Sequence, residues 1–297
     1  MAFIVKLKLN LKAILTLFLK ISGSIFSFIA IIVTFVNIEE IGLFKIGEKI
    51  LLLFAVAVFS FILSLILVLF IFKKNRIWSN GKNKVFASYG DIIKYGFMTK
   101  EKNKKIVVIP VNDTFDTIIE KGGETVINPL VSLNTIHGKW IDIFCNKNSC
   151  SNIDLNLRIQ ENLKLHKQKP IKTLDENEKP RGNREKYELG TVAIIESGNT
   201  IFYLLAISEF NEKNNAQSDK IKIRKAVEML IEFYDQNGQG YPLFMPLFGT
   251  GSSRAKLSHK QSLKIIKSSI FAFEEKINGQ INVIVYYRDR DKISIFD

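Results

Sequence analysis

Cysteine and histidine are scarce in this chain of 297 residues: there are Cys145 and Cys150, and His137, His166 and His259. A Cys-x4-Cys pair alone cannot supply the four ligands of a structural zinc site, so no metal is expected. The two thiols read as free and reduced in a cytosolic domain. Charge is missing from two long stretches. Residues 50–72 are 23 positions without one charged side chain, and residues 21–38 are a second such run of 18. A small-x-small cleavage site is also lacking after the earlier run, whose exit reads Val36-Asn37-Ile38-Glu39; this argues against a cleaved signal peptide. No basic stripe interleaved with aromatics is present, and without one a pI near 9.5 does not make a nucleic-acid binder. No internal repeat is visible.

What is present at the N-terminus is a membrane hairpin. At about 1.5 Å rise per residue, a helix over 50–72 crosses a hydrocarbon core of about 30 Å, and 21–38 lies near the short end of the spanning range. Lys6, Lys8, Lys12 and Lys20 precede the first span, and Lys73, Lys74, Arg76, Lys82 and Lys84 follow the second. The loop between them carries Glu39, Glu40 and Glu48 against Lys45 and Lys49. Basic flanks stay on the cytoplasmic side, so both termini are expected there, in a multi-pass protein of the cell membrane. Residues 1–20 mix Lys with Leu and Phe, as an amphipathic lead-in along the interface would. The net charge of +13 is concentrated here. Residues 1–84 hold 11 Lys/Arg against 3 Glu, and the remainder 31 basic against 26 acidic side chains. The excess suits anionic lipid headgroups.

The expected division is therefore a hairpin with basic flanks over 1–84, its residues 73–84 forming a basic linker, and an α/β domain over 85–297. Strands are expected at 84–88, 105–111, 191–197, 200–208, 241–246 and 280–287. Most are continuous apolar runs such as Ile106-Val107-Val108-Ile109, the pattern of strands buried on both faces. Helices are expected at 218–236 and 258–278, each followed by glycine. Residues 140–144 read as β-like, and the polar stretch 168–187 as a surface insertion. Alternating strands and helices argue for three layers around a mixed central sheet.

Four segments could carry chemistry. Tyr89-Gly90-Asp91-Ile92 follows a strand and places a carboxylate at its end. Val111-Asn112-Asp113-Thr114-Phe115-Asp116-Thr117 follows another. Ser132-Leu133-Asn134-Thr135-Ile136-His137-Gly138 is polar and contains a glycine. Gly249-Thr250-Gly251-Ser252-Ser253-Arg254 leads into a helix. Ligands of open α/β sheets bind at the carboxyl ends of strands. In the last segment glycines let successive N–H groups face an anion, Ser252 and Ser253 add hydroxyls, Arg254 adds a guanidinium, and the helix adds its positive end. A phosphate or diphosphate fits such a loop. Taken alone, the 249–254 loop also reads as a turn without a ligand and the 89–92 segment as a turn with an Asp cap, and Asp113 and Asp116 equally cap local turns.

The order of these four pieces resembles a macro domain, the ADP-ribose-binding α/β/α module. More narrowly, the chain resembles the divergent macro domain fused to two N-terminal transmembrane helices in bacterial Thoeris anti-phage systems. The 110–117 run, His137-Gly138, Gly190-Thr191-Val192-Ala193 and residues 249–254 carry that likeness, which extends over nearly the whole chain. The resemblance implies a membrane effector whose cytoplasmic domain binds an ADP-ribose derivative, such as histidine-ADP-ribose, made by a separate TIR-domain enzyme. Binding would drive homo-oligomerisation, disruption of the inner membrane and death of the infected cell. By the same resemblance Asp91 and Ile92 contact adenine. Asn112 and Asp113 contact the distal ribose or its substituent. Ser132, Thr135, His137 and Gly138, with Gly249, Thr250, Gly251, Ser252, Ser253 and Arg254, hold the diphosphate. Many macro domains read Val-Asn-Ala-Ala-Asn where this chain reads Val111-Asn112-Asp113-Thr114-Phe115. The missing second Asn disfavours hydrolysis, so no catalytic residue is expected. The alternative readings are a membrane-tethered ADP-ribosyl hydrolase, or a membrane protein whose α/β domain only docks a protein partner.

Overall fold

The computed structural model describes residues 2–35, 45–98, 103–119, 130–210, 216–251 and 255–297. The chain forms two compact units. One comprises residues 1–75 with 288–297, and the other residues 76–287.

The first unit is an apolar helical hairpin. Helix α1 (Ala2–Phe35) is continuous through the basic-apolar segment, so residues 2–20 are the first turns of the apolar helix and not a separate lead-in. At about 1.5 Å per residue it is ~50 Å long. Helix α2 (Ile46–Ile66) continues through a π-helical turn, Leu67–Ile71. Both are long and apolar enough to cross a membrane. Phe18 and Phe61 meet edge to face at 6.1 Å. Leu19, Phe35, Leu51, Phe54 and Phe59 are exposed. The C-terminal residues belong to this unit: Ser294 donates to Asn10 Oδ1 at 2.6 Å, and Asn75 to the Ile295 carbonyl at 3.0 Å. Glu39 and Glu40 of the expected loop lie outside the described residues.

The second unit, with the first two residues of β1 counted in the other, is built on a sheet in the order β1 (Lys74–Asn80), β2 (Asn83–Gly90), β10 (Gln280–Tyr286), β9 (Leu243–Pro246), β3 (Lys105–Asn112), β7 (Thr200–Phe210), β6 (Val192–Ser197). The pairings β2–β10, β10–β9, β9–β3 and β3–β7 are parallel, and β6 runs antiparallel to β7. The sheet is therefore mixed, as expected, and its apolar runs are buried because helices cover both faces. Residues 73–84, expected as a linker, instead form β1, a turn at Gly81 and the start of β2.

Successive side chains of a strand point to opposite faces, and β7 shows both. Phe202 meets Trp140 at 5.6 Å, while Tyr203 meets Phe233 at 5.2 Å. On the first face lie α3 (Ile92–Phe97), α4 (Ile136–Asn148) and α5 (Asn152–Leu165). On the other is α6 (Lys220–Asn237), which packs with α7 (His259–Ala272). Helix α6 buries Ile223, Ala226, Val227, Leu230, Ile231 and Tyr234, a 3.6-residue stripe, and Asp219 caps it by accepting from Ile221 and Lys222.

Residues 140–144 are helical, not β-like. His137, Trp140, Ile141, Phe144 and Cys145 fall on one buried face of α4, and Thr135 caps it. Helix α5 opens with a capping box, Ser151 with Asp154, and buries Leu155, Ile159 and Leu163. It also guards the sheet edge, since Asn162 Oδ1 accepts from Ile194 N of β6 at 2.6 Å. Trp140 is fully buried among Phe144, Phe202, Val107 and Ile109. Truncating it should cost about 3–5 kcal/mol. Urea unfolding of the Trp140→Ala variant in detergent checks this; a loss under 1 kcal/mol would be incompatible with α4 as a core helix.

Candidate functional site

The parallel pairing decides where the four candidate segments go. Ile284 of β10 is in register with Ser88 of β2 on one side and Pro246 of β9 on the other, and Val107 of β3 with Phe244 of β9. Asp91, Asn112 with Asp113, and the 249–251 turn therefore leave the sheet from one edge, the carboxyl edge. Helix α4 brings the fourth segment there. Its C-terminal end lies at the opposite edge, where Asn148 accepts from Ser197 at 3.0 Å and Lys147 donates to the Phe97 carbonyl at 3.3 Å. Its N-terminal end, Thr135 to Gly138, consequently lies at the carboxyl edge. The four segments come together in the tertiary structure.

Each has its own local cause. Asp91 Oδ1 caps α3 by accepting from Ile93 N at 3.0 Å, and Ile92 is buried beneath it. Ser132 and Thr135 form a turn in which Thr135 donates to the Ser132 carbonyl at 2.7 Å and accepts from Gly138 N at 3.0 Å. Gly138 N–H is thus committed to the cap. The residue must be glycine for another reason as well, since a Cβ there would collide with the Ser132 carbonyl. His137 is buried in the first turn of α4, and burial pulls its pKa down to about 3, leaving a neutral imidazole. That ring makes no hydrogen bond among the described residues.

Beyond β9, Gly249 adopts φ +78°, and its Cβ would press on Leu257. Leu257 N donates back to the Gly249 carbonyl at 3.3 Å, closing the turn. Gly251 is exposed, and among the described residues nothing stands within 4 Å of the position a Cβ would take. Ser252, Ser253 and Arg254 lie outside the described residues.

The segment after β3 is the most heavily bonded. The Asn112 carboxamide donates to Asp116 Oδ2 at 2.9 Å and accepts from Asp116 N at 3.0 Å. Asp116 Oδ2 also accepts from Thr114 Oγ1 at 2.8 Å and pairs with Lys179 Nζ at 2.6 Å, and Asp116 Oδ1 accepts from Asn183 N at 2.7 Å. Both oxygens of this buried carboxylate thus accept from within the protein, Oδ2 from three donors and Oδ1 from one. Asp113 differs. It is buried, its closest cation is Lys186 at 3.6 Å, and its carboxylate makes no hydrogen bond among the described residues. Lys186 also faces Glu209 at 3.7 Å, which pairs with Lys222 at 3.1 Å. Burial pushes the Asp113 carboxyl up to about 6, against the opposing pull of Lys186 and Lys179.

Lys179, Asn183, Lys186 and Glu209 were not among the candidates from sequence. Three of them sit in the 168–187 stretch expected as a surface insertion. That stretch is in fact tied to the β3 turn, with Lys179 wholly buried. No local signal marks Lys179, because its partners are 63 and 65 residues away.

A three-layer α/β domain whose parallel sheet collects glycine- and Asx-bearing turns at its carboxyl edge has the architecture of a macro domain. The family model described as "Thoeris protein ThsA, Macro domain" matches residues 87–286, more than half the sequence, and the chain belongs to that family. No curated protein gives a match. Solved structures similar to this chain include a point mutant of the Oceanobacillus iheyensis macrodomain, at 17% identity over 76% of this chain and 94% of that one, with a TM-score of 0.43. Another point mutant of that macrodomain, with ADPR, gives 15% identity over 75% and 94%, TM-score 0.44. The same macrodomain with ADP gives 14% over 75% and 92%, TM-score 0.44.

The raised pKa of Asp113 has a direction that can be measured. Between about pH 4 and 6 the folded protein holds a proton there that the unfolded chain releases. Stability contributed by this carboxyl is complete below pH 4 and lost as pH rises through 6. The shift corresponds to about 2–3 kcal/mol. Asp113→Asn should flatten that fall in denaturant titrations at pH 4.5 and 7; an unchanged profile would place the proton elsewhere.

Proposed function

We propose that this chain is a membrane effector of bacterial anti-phage defence, whose cytoplasmic domain binds an ADP-ribose-derived signal at the carboxyl edge of its parallel sheet. The observation that carries the reading is the convergence of Asp91, Asn112–Asp113, the start of α4 and the 249–251 turn on one edge, in a chain that belongs to the Thoeris macro family and also bears two apolar helices. Membership of a macro-domain family supports this ligand class.

In this reading the hairpin spans the inner membrane with both termini cytoplasmic. Its exposed Leu and Phe side chains are lipid-facing, since a water-facing surface of that extent would be unusual. The adenine lies by Asp91 and Ile92, the diphosphate between the α4 N-terminus and residues 249–251, and the distal ribose by Asn112 and Asp113. Asp113 is the carboxylate with capacity to spare, so a donor-rich or cationic substituent on that ribose, such as histidine, has a partner there. The signal comes from a TIR-domain enzyme. Its binding favours an assembled state in proportion to the difference in affinity between states, and assembly of several hairpins breaks the bilayer. The domain is a receptor and not a hydrolase: Asp116 is saturated, the His137 imidazole is neutral, and the second Asn of the macro motif is missing.

Two variants test separate halves of the reading in dye-loaded liposomes. Gly251→Val has room for its side chain in the free protein, so it should fold normally and lose binding of ADP-ribose and its histidine conjugate by calorimetry. Retained affinity would move the phosphate site elsewhere. Ile62→Arg should bind ligand normally yet release no dye, because a mid-span charge costs about 2.5–3.5 kcal/mol on insertion scales. Leakage equal to wild type would remove the hairpin from the mechanism.

A further inference from the structure

The polar hairpin β4 (Lys172–Thr173) and β5 (Glu185–Lys186) encloses a turn that sends one side chain inward. Lys179 is 2% exposed and its partner Asp116 0%. Its ammonium also donates to Thr114 Oγ1 and stands 5.3 Å from the centre of the Phe210 ring. Four residues on, Asn183 donates to the carbonyls of Thr114 at 3.0 Å and Phe115 at 3.1 Å, and to Asn156 Oδ1 at 2.7 Å. At Gly182 the strap passes so close that a Cβ would strike the Asp116 carboxylate. Tyr187 N closes the far end on the Asp113 carbonyl at 2.9 Å.

A buried ion pair is a poor source of stability compared with apolar side chains of the same volume. What it does supply is direction. Asp116 holds both ends of the Asn112 carboxamide, and Lys179 and Asn183 hold Asp116. We propose that Lys179 is a positioning residue: through Asp116 it sets the orientation of Asn112 and the course of the 112–116 turn, so that the strap determines how the site receives the sugar distal to the diphosphate. This rests on the placement of the distal ribose beside Asn112 given above. Lys179 acts through Asp116 and does not itself touch the ligand. The strap thus governs selectivity between nucleotides that carry the distal ribose and those that end at the diphosphate.

The test compares ADP-ribose with ADP by calorimetry, on the full-length protein in detergent. Lys179→Met together with Asp116→Asn removes both charges at once, so neither is left buried alone. Affinity for ADP-ribose should fall about tenfold or more while that for ADP stays within about twofold. Asn183→Ala keeps the ion pair, drops the tethers to the Thr114 and Phe115 carbonyls, and should show a smaller split of the same sign. It decides the matter if the double variant does not fold. Equal losses for both nucleotides, or none for either, overturn the role while leaving the site in place. Wild-type protein that binds neither nucleotide removes the site and the positioning role together.

Discussion

Asp116 carries a charge that has been taken entirely out of water. Such a group is tolerated only when its oxygens meet donors and its charge meets a cation. The architecture at the end of β3 follows from that demand. Asn112 gives it a carboxamide, Thr114 a hydroxyl, Asn183 a backbone N–H and Lys179 an ammonium. Two of these donors come from a polar hairpin with little reason of its own to be ordered. The carboxylate turns that hairpin from a surface excursion into a wall of the carboxyl edge.

The same edge exists because five strands run in parallel. Parallel strands release their chains at one side and require a crossover before the next. Here the crossovers are helices, so strand ends and helix beginnings alternate along one rim. Asp91 begins α3 and Thr135 begins α4, and in both the side chain that could face a ligand also caps a helix. Backbone N–H groups, a neutral imidazole and an unsaturated carboxylate end up in the same region with different chemical capacities. Asp113 and Asp116, three residues apart in sequence, illustrate this. One is buried with a single long contact to a cation, and the other accepts from four donors.

Strands were the most legible elements. Runs such as 105–111 and 280–287 are apolar without alternation, and burial on both faces leaves no other pattern open to them. Helix α6 was equally plain, since a solvated face imposes a 3.6-residue period. Helix α4 has that period too, in His137, Trp140, Ile141, Phe144 and Cys145, but its aromatic and β-branched members raise strand propensity over a short window. The Thr135 cap outweighs that preference. Helix α5 carries a capping box in Ser151 and Asp154, but its exposed Ile153 and Leu157 blur the apolar stripe that would mark it in sequence.

Sequence alone determined the two apolar helices, the apolar strands of the central sheet, helix α6 and the glycine- and Asx-bearing turns that end those strands. These depend on neighbours within a few positions, where periodicity, capping and turn chemistry act. Only the tertiary structure decided that Lys179 is buried in a stretch of surface composition, that Asp116 meets four internal donors while Asp113 makes one long ion pair with Lys186, and that Gly138 is needed for contact with Ser132. Those outcomes rest on where distant backbone passes. Burial and charge pairing depend on distance in space, and a one-dimensional pattern does not contain it.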